Sequence, residues 1–335
     1  MKLSLLEILA CPKCEADLAC TQGAGRDEVI EGALACQGCG AEYPVRRGIP
    51  RFIGDGNYAS SFGMQWNEFR TTQIDSVSGT ALSADRFFSE TGWDREWLRG
   101  KLVLDGGCGA GRFVEIAAEC GAHIVGLDIS SAVEAAATNV ARFPNAHIVQ
   151  ASLYEMPFRR GAFDACYCIG VVQHTPDPHR TIAGLPRVLK EGGSLAVVAY
   201  ERKRWTTLNA KYLIRPLTRR LPQRALLKAI QLVMPVAFPV TEVLYRVPIL
   251  HRVFKFIIPI ANYVEKPLSL RQRYNWAILD TFDMLAPAFD QPQREPEVVS
   301  ALAEGGIVGI HRLPAEGLVV VGRKHDTTHG VTATS

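Results

Sequence analysis

The sequence predicts an α/β protein built on a doubly wound, Rossmann-like, mostly parallel seven-stranded sheet with an antiparallel last strand. A small N-terminal four-cysteine ribbon and a helical insert are added to it. Three observations carry the prediction. Short apolar runs alternate with longer amphipathic stretches from Lys101 to Tyr200, a glycine-rich loop follows the first of those runs, and two Cys-x-x-Cys pairs precede them. Strands separated by helices of about 10–15 residues make successive βαβ units, and these need a parallel sheet.

The chain has 335 residues and a 47% hydrophobic fraction, enough to bury at least one core and to exclude disordered or collagen-like classes. A net charge of +3 does not by itself imply a nucleic-acid partner. The average hides an asymmetry, because Arg202 to Arg273 carries fifteen Lys and Arg against only Glu242 and Glu265. Nine cysteines are too few for a disulfide scaffold and point to metal binding or burial. The start MKLSLLEILACPKC lacks a secretory pattern, so a cytoplasmic location is expected. The longest apolar stretches, Ala229 to Val240 and Phe254 to Ala261, fall short of about 18 residues. Pro235, Pro239 and Pro259 interrupt them, so no membrane-crossing helix is expected.

We read residues 1–55 as the ribbon, 56–100 as a helical connector and lid, and 101–200 as the core. Residues 201–292 form a basic, apolar insert, 293–325 the last helix and two strands, and 326–335 a loose tail. Within the ribbon, Tyr43-Pro44-Val45 and Arg51-Phe52-Ile53 read as short strands. In the core KLVLD, HIVGLD, AHIVQ, FDACYCIG and SLAVVAY are strands, while GRFVEIAAECG, SAVEAAATNVARF and HRTIAGLPRVLKEGG are helices. PEVVSALAEGG is a helix, and the consecutive strands IVGIHRL and GLVVVGRK can pair antiparallel.

Cys11, Cys14, Cys36 and Cys39 form two pairs separated by 21 residues, near the spacing of a zinc ribbon. Four sulfurs leave no open coordination position, so a structural Zn2+ is expected and catalysis lies elsewhere. Cys20 falls outside the pattern.

The loop Val103 to Gly111 reads VLDGGCGAG and lies between an apolar strand and an amphipathic helix. Glycines there permit a tight turn and close approach of a ligand to the backbone. A dinucleotide fingerprint needs a glycine where Arg112 stands, and the Gly-Lys-Ser/Thr ending of a triphosphate cradle is missing. Asp128, ending the second strand, is suited to accept both hydroxyl hydrogens of a ribose.

At these residues the chain resembles class I S-adenosylmethionine-dependent methyltransferases of the type 11-like group, through VLDGGCGAG, VGLDIS and IGVVQHTPDP. The resemblance covers Lys101 to Tyr200 strongly and the last two strands weakly. It implies S-adenosyl-L-methionine as cofactor, held by Asp105, Gly107, Cys108, Gly109 and Gly111, with Asp128 on the ribose and Ile129 against the adenine. Ser152 and Leu153 after the third strand, and Ile169 at the end of the fourth, complete the implied cofactor site. Ser152 stands where the family usually has an acid, and Gln173 where it has the first of two histidines. The segment Tyr58 to Phe69 resembles the helix that closes over the cofactor in these enzymes, which makes Tyr58, Gln65 and Trp66 lid candidates. Packing between modules is the alternative use of these three. The ribbon, with its LEILACPxC opening and GIPRFI ending, is similar to the small zinc-binding activator of several RNA and protein methyltransferases.

A sulfonium methyl group is already activated, so a base is needed only for an acceptor that carries a proton. His174, just beyond the fourth strand, is the candidate catalytic base; a structural histidine is the alternative. The Asn/Asp-Pro-Pro-Tyr/Phe motif of many amino-group methylases is missing here, so an oxygen or carbon acceptor is favoured. The insert interleaves basic with large apolar residues, which fits a small or lipid-linked acceptor and peripheral membrane contact through 202–273. The reading favoured for the stretch is a helical cap whose apolar face packs on the fold and whose charges are solvated. Arg271, Arg273, Tyr274, Trp276, Asp280 and Asp283 are positional candidates for an acceptor pocket. The alternatives are an RNA-modifying methyltransferase, with nucleic acid the less favoured partner, and a noncatalytic cofactor-binding interaction module. Oligomeric state is not readable from the sequence.

Overall fold

The computed structural model describes residues 1–24, 28–54 and 56–326; the tail expected from residue 326 lies, from 327 onward, outside the described residues. The N-terminal sheet has four antiparallel strands in the order β1 (Leu18–Ala24), β2 (Val29–Cys36), β3 (Glu42–Arg46) and β4 (Ile49–Pro50). The last strand lies two residues before the expected one. Arg51 and Phe52 instead reach the core, where the Phe52 N–H donates to the Gln150 carbonyl at 2.8 Å.

Four helices follow, α1 (Ser60–Glu68), α2 (Asp75–Ser78), α3 (Leu82–Thr91) and α4 (Arg95–Leu98). The core then alternates β5 (Leu102–Gly106), α5 (Arg112–Glu119), β6 (His123–Asp128), α6 (Val133–Val140), β7 (Ala146–Gln150), β8 (Phe163–Ile169), α7 (Pro178–Gly184) and β9 (Leu189–Ala199). The expected long helix through HRTIAGLPRVLKEGG is cut short. Pro186 sits in a single 3-10 turn, and from Leu189 the chain is already extended as β9.

The insert folds as α8 (Ala210–Thr218), α9 (Gln223–Leu244), α10 (Leu250–Ile257) and α11 (Leu270–Leu285), and the chain ends with α12 (Glu295–Glu304), β10 (Ile307–Arg312) and β11 (Leu318–Lys324). The large sheet runs β10-β11-β9-β8-β5-β6-β7. Strands β5 to β9 pair in parallel, and β11 lies antiparallel between β9 and β10. The predicted architecture is therefore present. Its strands are buried on both faces, with Val103, Leu104, Ile124, Val125, Ala165 and Cys166 inaccessible to solvent.

The expected interruption of the apolar stretch at Pro235 and Pro239 is overturned. Pro235 and Pro239 lie inside a single 22-residue helix, α9, which is long and apolar enough to cross a membrane by length and composition. Both prolines face outward, while Leu226, Leu227, Ile230, Met234 and Phe238 are buried against Ala277, Ile278, Phe282 and Leu285 of α11. That packing holds the helix together across the hydrogen bonds that proline cannot donate.

Candidate active site

The carboxyl ends of β5, β6 and β8 open into one cavity of about 1030 Å3, roofed by α1 and by the insert. Strand order reverses between β5 and β8, the place where open α/β sheets bind their ligands. Gly107 and Gly109 line this end with φ of 97° and 52°, conformations that side chains disfavour. A Cβ on Gly107 would stand 2.5 Å from a Val171 methyl, and one on Gly109 would stand 3.0 Å from Trp66 Nε1. The bare backbone forms a cradle with Trp66 directly over it.

Asp128 ends β6, the neighbouring strand, directly beside this loop. Its Oδ2 accepts the Gly109 N–H at 2.9 Å, and its Oδ1 accepts the Ser130 N–H at 2.8 Å and hydroxyl at 2.7 Å. Burial pushes its carboxyl up, against the pull of those donors. The loop and the acid thus fix one another before any ligand arrives.

Tyr58, Gln65, Trp66, Gly107, Cys108, Gly109, Asp128, Ile129, Leu153, Ile169 and His174 all line the cavity. Three expected residues stand outside that lining. Asp105 is buried beneath the loop beside the Tyr167 hydroxyl, and burial pushes it up to about 8. Gly111 allows α5 to approach α6, since a Cβ there would stand 3.3 Å from Ala136. The Ser152 hydroxyl accepts the Tyr154 N–H at 3.1 Å, while its neighbours Ala151 and Leu153 face the cavity.

Helix α1 lies against the loop after β6. Asn67 Nδ2 donates to the carbonyls of Gly63 at 2.7 Å and Ser131 at 2.9 Å, and Asn57 Nδ2 donates to that of Ile129 at 2.9 Å. Gln65 is fully buried; its Nε2 donates to Asp283 Oδ1 at 3.3 Å and its Oε1 has no partner among the described residues. A buried carbonyl-type oxygen without a donor suits a ligand that offers a hydroxyl or amino group.

The ends of β8 and β9 and the insert supply the remaining lining of the cavity. His174 Nδ1 stands 3.0 Å from the Phe289 carbonyl oxygen, and its ring packs on Phe62 and edge-on against Tyr200. A carbonyl only accepts, so Nδ1 carries the hydrogen and Nε2 of the neutral ring holds the lone pair. Asp280 and Asp283, one turn apart on α11, both face the cavity. Tyr263 donates to Asp280 Oδ2, and Tyr200 donates to Asp283 Oδ2 at 3.4 Å. Burial pushes Asp280 up to about 7, close to the point of proton exchange at neutral pH.

Of the other insert candidates, only Trp276 reaches this cavity. Arg273 is paired with Glu242 at 2.6 Å, Tyr274 packs edge-on against Phe238, and Arg271 is exposed. Sequence reasoning missed Arg86, Arg112, Tyr200 and Tyr263, which also line it. Arg112 donates to Gln73 with its guanidinium 4.3 Å over the Phe113 ring, and burial lowers it to about 10. Its position directly after Gly111 was the available signal, since a cation at that helix start faces the same loop as the ligand.

In the ribbon the four sulfurs of Cys11, Cys14, Cys36 and Cys39 lie within 4.8 Å of one another, with Cys14 and Cys36 at 3.3 Å and Cys11 and Cys39 at 3.7 Å. A tetrahedral zinc with bonds of about 2.3 Å separates its sulfurs by about 3.8 Å. The set fits a structural zinc ion. The Cys39 N–H, and next the Gly38 N–H, support the Cys36 thiolate and draw that thiol down to about 6.

Residues 104–197 match a family model described as a methyltransferase domain, and residues 2–48 match one described as Trm112p-like. The ubiquinone biosynthesis O-methyltransferase of Aromatoleum aromaticum is 34% identical over 133 residues, which cover 36% of this chain and 55% of that protein. Its counterpart from Pseudomonas paraeruginosa is 32% identical over 136 residues, covering 38% and 57%. The chain spans little more than half the length of these curated relatives. Among solved structures, a Haloferax volcanii complex of the Trm112 methyltransferase activator with a methyltransferase aligns with 79% of this chain and 97% of that one, at 14% identity and a TM-score of 0.45. Residues 104–197 are thus similar to the methyltransferase domain family and residues 2–48 of the same chain to the Trm112p-like family, and the two matched segments together span less than half of the chain.

Proposed function

We propose that the protein transfers a methyl group from S-adenosyl-L-methionine to an oxygen or carbon of a small or lipid-linked acceptor, with the zinc ribbon as a structural accessory. The observation that carries this reading is that one cavity is lined by a glycine cradle, Asp128, His174 and two tyrosine-bonded aspartates. The curated relatives are, by name, O-methyltransferases, which agrees with an oxygen acceptor.

Bound S-adenosyl-L-methionine would supply an electrophilic methyl group that needs no further activation. Asp128 is suited to its ribose, Ile129 and Leu153 to its adenine, and Arg86 and Arg112 to its carboxylate. Ser152 would contribute through its backbone, since its hydroxyl is engaged with Tyr154. The lid residues Tyr58, Gln65 and Trp66 exclude water from the cradle. At the acceptor end, His174 Nε2 takes the proton of a hydroxyl as the new bond to carbon forms, and the Phe289 carbonyl steadies the resulting imidazolium through Nδ1.

Calorimetry with S-adenosyl-L-methionine and mass spectrometry of products from cell extract test the reading together. Asp128→Ala should weaken cofactor binding by about 1–3 kcal/mol through loss of charged hydrogen bonds. His174→Gln should keep cofactor affinity yet slow product formation by roughly 10²–10⁴-fold. Unchanged affinity in the first variant removes the ribose assignment, and an unchanged rate in the second removes the base. Binding without any methylated product would favour a cofactor-sensing module.

A further inference from the structure

We propose that the outer face of α9 and α10, with the turn between them, is a docking surface for an anionic lipid bilayer, on which the protein lies without crossing it. The exposed side of α9 from Ala229 onward consists of Leu232, Val233, Val236, Val240 and Val243 with its two prolines, and Gln231 is its only polar residue. Leu232 is 81% and Val236 70% exposed. On a water-facing helix side such a run of aliphatic groups has no structural use, since the opposite side already supplies the core. Helix α10, which packs beside α9, also exposes Leu250, Val253 and Ile257, and none of its residues is buried.

The turn joining the two helices adds an independent sign. Ile249 follows Pro248 with φ of 67° and is 85% exposed. A β-branched residue at positive φ is strained, and here the strain serves to hold an isoleucine at the apex of the turn.

Charge selects the occupant. Arg224 and Lys228 flank the apolar row at the start of α9 and Arg252 rises from α10, all three exposed, while Arg246 and Lys255 are exposed but paired with Glu242 and Glu265. The whole stretch from Arg202 to Arg273 holds fifteen cations against two acids. An apolar strip bordered by cations complements the acyl boundary beneath anionic headgroups. A second copy of the chain would bring the same cations face to face, which disfavours self-association through this surface.

Two features make the contact interfacial. Pro235 and Pro239 remove the donors that the carbonyls of Gln231 and Pro235 would otherwise meet, on the exposed side of the helix. Those carbonyls need water or headgroups, which the hydrocarbon centre lacks. Leaving the protein to span a bilayer would also strip Ile230, Met234 and Phe238 from α11. The segment after α10 leads directly into the cavity through Ala261, Tyr263 and Lys266, so the surface and the acceptor end share one stretch of chain. Delivery of a lipid-linked acceptor rests on the methyl-transfer reading; the docking surface itself does not.

The test is sedimentation of the full chain with phosphatidylcholine vesicles, alone or with about 30% phosphatidylglycerol, at about 0.15 M salt. Calorimetry with S-adenosyl-L-methionine is run on the same samples. The expected result is binding to the anionic vesicles only. The double variants Val236→Asp/Val240→Asp and Arg224→Glu/Lys228→Glu should each weaken it by roughly ten-fold or more with cofactor affinity unchanged. Ile249→Gly, which relieves the strained φ, should weaken it while raising thermal stability. No sedimentation with anionic vesicles, equal binding to neutral ones, or a lipid-free dimer abolished by the Val236 and Val240 changes would overturn the proposal. Failure on vesicles with cofactor binding intact leaves the methyl-transfer reading standing, and loss of cofactor binding with vesicle binding intact does the reverse.

Discussion

Asp105 and Asp128 end neighbouring strands and are held in opposite ways. Asp128 receives three donors from the loops around it, whereas Asp105 lies under the glycine loop beside the Tyr167 hydroxyl and is pushed by burial up to about 8. Its native carboxyl therefore keeps a proton that the unfolded chain releases above about pH 4. Stability contributed by this group is present at low pH and declines as pH rises toward about 8. Asp105→Asn has no such proton to lose. The stability difference, variant minus wild type, should grow by about 3–4 kcal/mol between about pH 5 and pH 9 in urea titrations. A constant difference would mean that Asp105 titrates as an ordinary carboxyl group. The sequence made both aspartates visible through the loop and strand that carry them. Arg86, Tyr200 and Tyr263 were invisible, because nothing local marks a residue that reaches the site only by tertiary packing.

At the scale of elements, two prolines in similar surroundings behave differently. Pro186 ends its helix because the chain after it can join the central sheet as β9, while Pro235 stays within α9 because its helix packs on α11. Local pattern is the same and tertiary context decides, which is why the alternating core was legible and the insert was not. The lid obeys packing in the same way. A Cβ on Gly63 of α1 would stand 2.3 Å from Ser131 Oγ and 3.0 Å from Ser131 N, at the loop that follows Asp128. Gly63→Ala should lift α1 and move Trp66 off the glycine cradle. We expect overpacking to cost roughly 1–3 kcal/mol of stability. Cofactor affinity should fall by about ten-fold or more as the cradle opens. Equilibrium unfolding and calorimetry measure the two effects separately, and stability loss with full affinity would show that the lid does not contribute to binding.

In the whole molecule the ribbon is part of the core. Leu5, Leu9, Leu34 and Tyr43 share one buried cluster with Met156, Phe158 and Val149 of the methyltransferase domain. Arg51 joins Gln150 and Glu134, the Ala10 N–H donates to the Pro157 carbonyl at 3.0 Å, and Arg160 pairs with Glu15 at 2.7 Å. Among the described residues, by contrast, none before Tyr58 lines the cavity. Metal analysis should find about one zinc per chain. Because ribbon folding depends on that ion, chelation should expose the apolar face around Leu9 and Phe158 and lower the Tm of the whole chain by about 5 °C or more, in one transition. Cofactor affinity measured below that transition should change by less than about three-fold, since the linkage acts through stability rather than through the site. Cys14→Ser/Cys39→Ser should reproduce the effect without chelator. Two separate transitions would show instead that the ribbon folds as an independent unit merely resting on the edge of the sheet, and an unshifted Tm would remove the metal from the stability of this fold.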